Sequence, residues 1–451
     1  MSLIKKGGKM KTSFLFTMLL FPIFGYKNLA NATDYYMSPS GNDANPGTLS
    51  KPWKTLDRLK TAQAILQPGD TVYFRGGNYL INDASKKGTY ALSKAGTSSK
   101  RITYKKYSNE VPVILYDRRT IDQSKGHLVA MYPGNYTTFD GLTFRQTEAS
   151  RCLALEKDCV SRGLTSSAKA RYYAKAVRAM VVSGSDVIIR NCVVDNFSSV
   201  GMSFPGANVI VEYSTFKNIS NHSWYLQGAN GIYRNNTIDG SRQIPKGGSI
   251  FGIQIQYQTT RSNKIYGNLI KNTAASAVVF SGKTSYNEVF NNVLINPGMK
   301  LDAGKAVSVW CEDGPMGAGN KFYNNTVIGK SLGGIFGDVL TDKCLGVRPI
   351  SKVEIRNNIF YPSTPVKTDL FQNYSNVANN IFYNISVSAP TGNRLVNPSL
   401  VNPLGLTAAS AMLKAGSPAY DAGRGTVFPK TDYSGRARPR GRTFDIGAFE
   451  Y

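Results

Sequence analysis

Asn291-Asn292-Val293-Leu294, Asn324-Asn325-Thr326-Val327, Asn357-Asn358-Ile359-Phe360 and Asn379-Asn380-Ile381-Phe382 repeat one phrase. Looser copies precede it: Asn191-Cys192-Val193-Val194, Tyr213-Ser214-Thr215-Phe216, Asn235-Asn236-Thr237-Ile238 and Gly267-Asn268-Leu269-Ile270. Anchored at 191, 214, 236, 268, 292, 325, 358 and 380, the steps are 23, 22, 32, 24, 33, 33 and 22 residues, so the short steps are the unit and the long ones carry insertions. A unit of this length, made of short β-branched strands separated by Gly and Asn, is one turn of a parallel β-helix, whose coils bury their inner faces only against their neighbours. Leucine-rich repeats are excluded because the fixed Leu framework and the helix in each unit are missing. Asn suits the corners: it tolerates left-handed backbone, and its amide can bond the amide of the next coil. The expected fold class is all-β, a right-handed parallel β-helix solenoid with an N-terminal capping helix over Lys54–Leu66, where Leu56, Leu59, Ala62 and Leu66 share one face.

Working outward, residues 1–32 read as a secretory signal: a basic start, an apolar run from Phe14 to Phe24, and Ala30-Asn31-Ala32 as the cleavage site. That run is too short to span a bilayer, and no second one follows, which excludes an integral membrane protein. Residues 33–397 are then the solenoid and its N-terminal cap, and 398–451 a Gly- and Pro-rich closing coil of the same domain. The formal charge of +26 falls to +21 once Lys5, Lys6, Lys9, Lys11 and Lys27 leave with the signal. With 41% hydrophobic and 18% charged residues the chain is not a disordered polycation. Export makes an acidic polysaccharide, rather than nucleic acid, the expected partner, and places the protein outside the cell or in the periplasm. Two histidines exclude a His-rich metal site. Of five cysteines, Cys152 with Cys159 and Cys311 with Cys344 are the candidate pairs, and an odd thiol remains.

Tyr35-Tyr36-Met37-Ser38-Pro39-Ser40-Gly41-Asn42-Asp43 with Pro46-Gly47-Thr48 and Pro52-Trp53, together with Asp445-Ile446-Gly447-Ala448-Phe449-Glu450 at the end, resembles secreted bacterial right-handed β-helix proteins, many of them polysaccharide lyases of the alginate lyase and chondroitinase B type or the pectate lyase type. In those families the resemblance implies a Lys or Arg base and often calcium held by clustered acids. Here the corresponding strand positions carry Gly252, Gln254 and Gln256, and no lysine stands near Thr259, so no cofactor is expected.

Alternation lines up one strand per coil. Met180, Met202, Trp224, Ile253, Val278 and Val307 point inward; Val181, Ser203, Tyr225, Gln254, Val279 and Ser308 form one outward column, and Ser183, Pro205, Gln227, Gln256, Ser281 and Trp310 the next. With coils about 4.8 Å apart, Tyr225, Gln254, Gln227 and Gln256 should meet in an exposed polar patch with His222 and Tyr257 at its edges and Trp310 beside it. The basic stretch before it, with Arg171, Lys175 and Arg178, supplies a cationic wall. A polyuronate lyase must neutralise a carboxylate, remove the C5 proton and protonate the leaving oxygen. Gln254, Gln256 and Arg178 or Arg261 are expected to hold the carboxylate and His222 or Tyr225 to exchange protons, without the calcium acid cluster. The competing readings are a glycoside hydrolase using Glu312, Asp313 and Asp338, and a non-catalytic polysaccharide binder.

Overall fold

The computed structural model describes residues 32–81, 89–117, 129–148, 177–243, 250–299, 305–329, 336–339, 344–347, 349–367, 376–386, 392–425 and 429–451. The expected leader and the Cys152–Cys159 pair fall outside them. Residues Ala32–Tyr451 group as one compact unit.

Three parallel sheets wrap this unit: sheets A and B of twelve strands each and sheet C of nine. A coil runs through sheet A, turns over two residues into sheet B, then passes through sheet C; Ile188–Arg190, Val193–Asp195 and Met202–Phe204 are one such round. The register of sheet C matches the alternation read from the sequence. Met202 pairs with Trp224, Trp224 with Ile253, Ile253 with Val278 and Val278 with Val307, while Ser203, Tyr225, Gln254, Val279 and Ser308 pair along the next row.

The A-to-B corner explains the repeated phrase. Its first residue adopts left-handed backbone, at φ 56° for Asn235, 65° for Gly267, 50° for Asn291 and 51° for Asn324. Its second residue is buried and builds a ladder: Asn292 Nδ2 donates to Asn325 Oδ1 at 3.0 Å, and Asn292 Oδ1 accepts from Asn268 Nδ2 at 2.9 Å. Cys192 and Ser214 hold the ladder position in earlier coils, the Cys192 amide donating to Ser214 Oγ at 3.1 Å and the Ser214 amide to Asn236 Oδ1 at 2.9 Å. The first anchor therefore belongs at 192 rather than 191.

The capping helix is shorter than its apolar stripe, Leu56–Ala62, because Thr55 caps its start and the turn after it tightens, the Ala64 amide donating to the Thr61 carbonyl and the Ile65 amide to that of Ala62. Leu56, Leu59, Ala62 and Leu66 are all buried against the first coil. At the other end Arg438 and Glu450 form an ion pair at 3.0 Å with side chains 0% and 1% exposed. Arg438 also donates to the carbonyls of Asp445 and Gly447. Arg438 is thus a buried closure of the solenoid rather than a surface charge.

The insertions are not scattered. Long connections lie on both sides of sheet C: 147–176, 240–252 and 296–306 lead into it from sheet B, against 196–201 in a plain coil, and 340–352 leads from it to sheet A, against 205–209. The only disulfide among the described residues, Cys311–Cys344, fastens the segment that follows the sheet C strand Val307–Trp310. Extra chain is concentrated at the margins of sheet C.

Candidate active site

The outer face of sheet C is only partly solvated: Ser183 and Pro205 are exposed, but its middle is covered. Ser203, Gln254, Gln256, Val279 and Ser308 are all buried, so the exposed patch expected from alternation is an enclosed polar cluster. Buried polar groups must find partners. The Tyr225 hydroxyl donates to Gln256 Oε1 at 2.6 Å and lies 2.8 Å from the Tyr257 hydroxyl. Gln254 Nε2 donates to Gln256 Oε1 at 3.0 Å and stands 3.4 Å from Glu312 Oε2, which also accepts from Ser281 Oγ at 3.1 Å. Tyr257 is the cluster's exposed edge, and its backbone sits at φ 78°, a conformation that bulky residues rarely adopt.

Arg178 arrives by a backbone irregularity. Val177 pairs with Val129 but Met180 pairs with Met131, so three steps on one strand match two on the other. This β-bulge re-aims the side chain, and Arg178 Nη1 donates to Ser203 Oγ at 2.8 Å on the outer face. Burial holds the guanidinium below its ordinary pKa, while the phenols of Tyr225, Tyr132 and Tyr257 act the other way. Its Nε is buried with no hydrogen-bond partner among the described residues, as is the Trp310 indole nitrogen.

Electrostatics separates the two proposed proton carriers. His222 stacks on Phe251 at 5.1 Å, and its Nδ1 accepts from the Phe251 amide at 3.0 Å. Burial, and next Arg178, push its pKa down to about 3. The ring is therefore neutral with its proton on Nε2, a donor rather than a base. Burial raises the Tyr225 phenol above its ordinary value, with Tyr257 and Glu312 adding to the rise and Arg178 opposing it. Tyr225 is accordingly a protonated phenol, an acid poised beside a cation.

The structure brings together His222, Tyr225, Gln254, Gln256, Tyr257 and Arg178. Trp310 packs edge-on against Phe251 at 5.0 Å beside them. Gln227 is half-buried just past its strand, where its carbonyl accepts from Thr259. Arg261 is exposed in the corner leading to sheet A, bridged to Ser285, and makes no contact with the cluster among the described residues. Arg171 and Lys175 lie outside the described residues. Glu312, read from sequence with Asp313 and Asp338 as a separate hydrolytic set, is a member of this cluster. Asp313 is not: its Oδ1 is buried without a partner among the described residues, packed over Gly282, where a Cβ would collide with it. Asp338 pairs with Val309, whereas the cluster belongs to the Ser308 and Trp310 rows.

Residues 35–244 match the family model described as Pel9A-like, right handed beta helix region, and residues 172–327 match a model described as right handed beta helix region. Among solved structures, pectate lyase Pel9A is similar at TM-score 0.53 and 15% identity, covering 94% of this chain and 97% of that one. XylC in complex with xylose is similar at 0.53 and 12%, covering 92% and 98%. A GH136 lacto-N-biosidase from Eubacterium ramulus is similar at 0.51 and 14%, covering 80% and 68%. A curated relative, the uncharacterized protein YwoF of Bacillus subtilis (strain 168), is 31% identical over 124 residues, which span 27% of this chain and 24% of that protein. The chain is a right-handed parallel β-helix resembling polysaccharide lyases of that fold; at these identities the likeness to solved structures extends to the fold alone.

Proposed function

We propose that this protein is a secreted or periplasmic polysaccharide lyase that cleaves a uronate-containing polysaccharide by β-elimination on the outer face of sheet C. One observation carries the reading: a partly desolvated guanidinium, a neutral phenol and one carboxylate meet in a single cluster. Elimination needs a group to neutralise the sugar carboxylate, one base and one acid. Hydrolysis by the usual route needs two carboxylates flanking the bond, and Glu312 is the only acid hydrogen-bonded into the cluster among the described residues.

In this reading Arg178 and the Gln254 amide bind the C5 carboxylate and stabilise the charge that develops when the adjacent proton leaves. The Glu312 carboxylate takes the C5 proton. The electrons of that bond form the C4–C5 double bond, the C4–O bond breaks, and Tyr225 gives its proton to the departing oxygen. Arg178 stabilises the resulting phenolate, and the Tyr257 hydroxyl, 2.8 Å away, is the path by which the proton returns. His222 positions Phe251 and Trp310 without exchanging a proton. Carboxamides at Gln254 and Gln256 leave charge neutralisation to Arg178 rather than to a metal cluster.

The test is a panel of alginate, pectate and glycosaminoglycans read for both ultraviolet absorbance and reducing ends. Absorbing products from at least one polymer, lost in Tyr225→Phe, are expected. Reducing ends without absorbance would replace elimination by hydrolysis, and intact polymer throughout would leave a binding protein.

A further inference from the structure

The outer face of sheet A, which takes no part in the cluster just described, carries a second polar cavity. It measures about 250 Å³ and is lined by Lys321, Tyr323, Glu354, Arg356, Asn357, Arg424 and Gly425. That is below the roughly 300–1,000 Å³ of drug-sized sites, so it has room for one charged ring rather than a buried oligomer.

Three cations face one carboxylate in this lining. Arg356 Nε approaches Glu354 at 2.7 Å and Lys321 Nζ lies 4.0 Å from the same residue. The Arg356 contact is an ion pair without a directed hydrogen bond, for its Nε is buried and unpartnered among the described residues. Half-exposed pairs of this kind are worth little by themselves, so an incoming anion can recruit both cations at small cost. Arg424 is held in place from behind: its amide donates to Asn357 Oδ1 at 3.1 Å, and Asn357 Nδ2 donates to its carbonyl at 3.0 Å. Fixing the backbone of a binding arginine lowers the entropy lost when a ligand orders its side chain. The wall is aromatic. Phe290 stacks on Tyr323 at 5.1 Å, and Tyr323 is locked by its hydroxyl donating to Glu288 at 2.8 Å. A rigid ring beside forked donors is the chemistry that recognises a sugar bearing an oxyanion.

We propose that this cavity is a non-catalytic anchoring site for one acidic sugar residue, a carboxylate-bearing ring, which holds a polyuronate against sheet A. The choice of a uronate rests on the function proposed above, whereas the oxyanion preference rests on the cavity's own charges. Binding should be measured by affinity electrophoresis in gels containing polyuronate or dextran, in the Tyr225→Phe background so that cleavage does not interfere. Arg424→Glu is expected to weaken polyuronate retardation about tenfold, a loss of roughly 1.4 kcal/mol, and Lys321→Gln to weaken it less. Dextran mobility should be unchanged, and both variants should melt like the parent. Unaltered polyuronate retardation in both variants would overturn the site. So would an equal effect on dextran, or displacement of the polymer by inorganic phosphate at matched concentration, which would make it a free-oxyanion site. Failure here alongside ultraviolet-absorbing digestion products removes the anchor and leaves the lyase. Lost retardation without such products removes the lyase and leaves the anchor.

Discussion

The A-to-B corner and the outer face of sheet C are built on the same coils, yet one is uniform and the other is not. At the corner, Asn236, Asn268, Asn292, Asn325, Asn358 and Asn380 form a single file in which each amide serves the next. On sheet C the equivalent rows carry Ser, Tyr, Gln, Val and Ser in turn, with a β-bulge at Arg178 and side-chain bonds that join Tyr225, Gln254, Gln256 and Glu312. In a solenoid, a residue type repeated along a row satisfies the needs of stacking. A row that changes character, flanked by insertions and interrupted by a bulge, serves something other than stacking.

Substitutions can break that contrast. The largest expected effect is on the irregular side: Tyr225→Phe should lower kcat by about 10²–10⁴-fold, the range for a lost general acid or base, with a melting temperature close to the parent's. A fall in both together would make Tyr225 a structural residue. On the uniform side, Asn292→Ala leaves the Ile265 and Phe290 carbonyls and both neighbouring amides short of partners. It should cost about 2–4 kcal/mol in denaturant unfolding while the folded fraction keeps its turnover. A stability change below about 1 kcal/mol would mean that the ladder is dispensable.

The pH dependence gives a smaller effect. His222 is neutral in the folded state down to about pH 3 but takes up a proton near its ordinary pKa of 6.5 when unfolded. Between those values the unfolded state binds more protons, so stability present above pH 6.5 declines as the pH falls, by about 2 kcal/mol at pH 5. His222→Gln, which keeps an acceptor for the Phe251 amide, should flatten that slope in melting curves; an unchanged slope would assign it to other groups. The smallest effect is a control on the outer face of sheet A, where Arg190 pairs with Asp140 at 2.9 Å with its side chain 44% exposed. Arg190→Ala should shift stability by no more than about 1 kcal/mol and leave turnover intact.

Period and register were legible because each depends on a pattern that recurs. The spacing of the Asn phrases located the corners, and alternation assigned the inward and outward rows of sheet C correctly across Met202, Trp224, Ile253, Val278 and Val307. What recurrence does not encode was harder to read. Arg178 reaches the outer face through an extra residue in its strand, which strict alternation cannot anticipate. The polar rows were expected in solvent, yet Gln254 and Gln256 are buried, because alternation distinguishes in from out but not covered from uncovered. Glu312 joins the cluster from beyond the end of its strand, next to the disulfide-bonded Cys311, so its partnership with Gln254 spans 58 residues and leaves no local trace. The Nδ1 contact that makes His222 a donor is likewise made to a backbone amide 29 residues away.

The central claim is that bond breaking on sheet C is an elimination. Digesting the susceptible polyuronate in water enriched in heavy oxygen and weighing the products by mass spectrometry tests it most directly. Elimination predicts products with an unsaturated non-reducing end and no heavy oxygen acquired from cleavage. Saturated products that each carry one heavy oxygen would contradict it and make Glu312 part of a hydrolytic site.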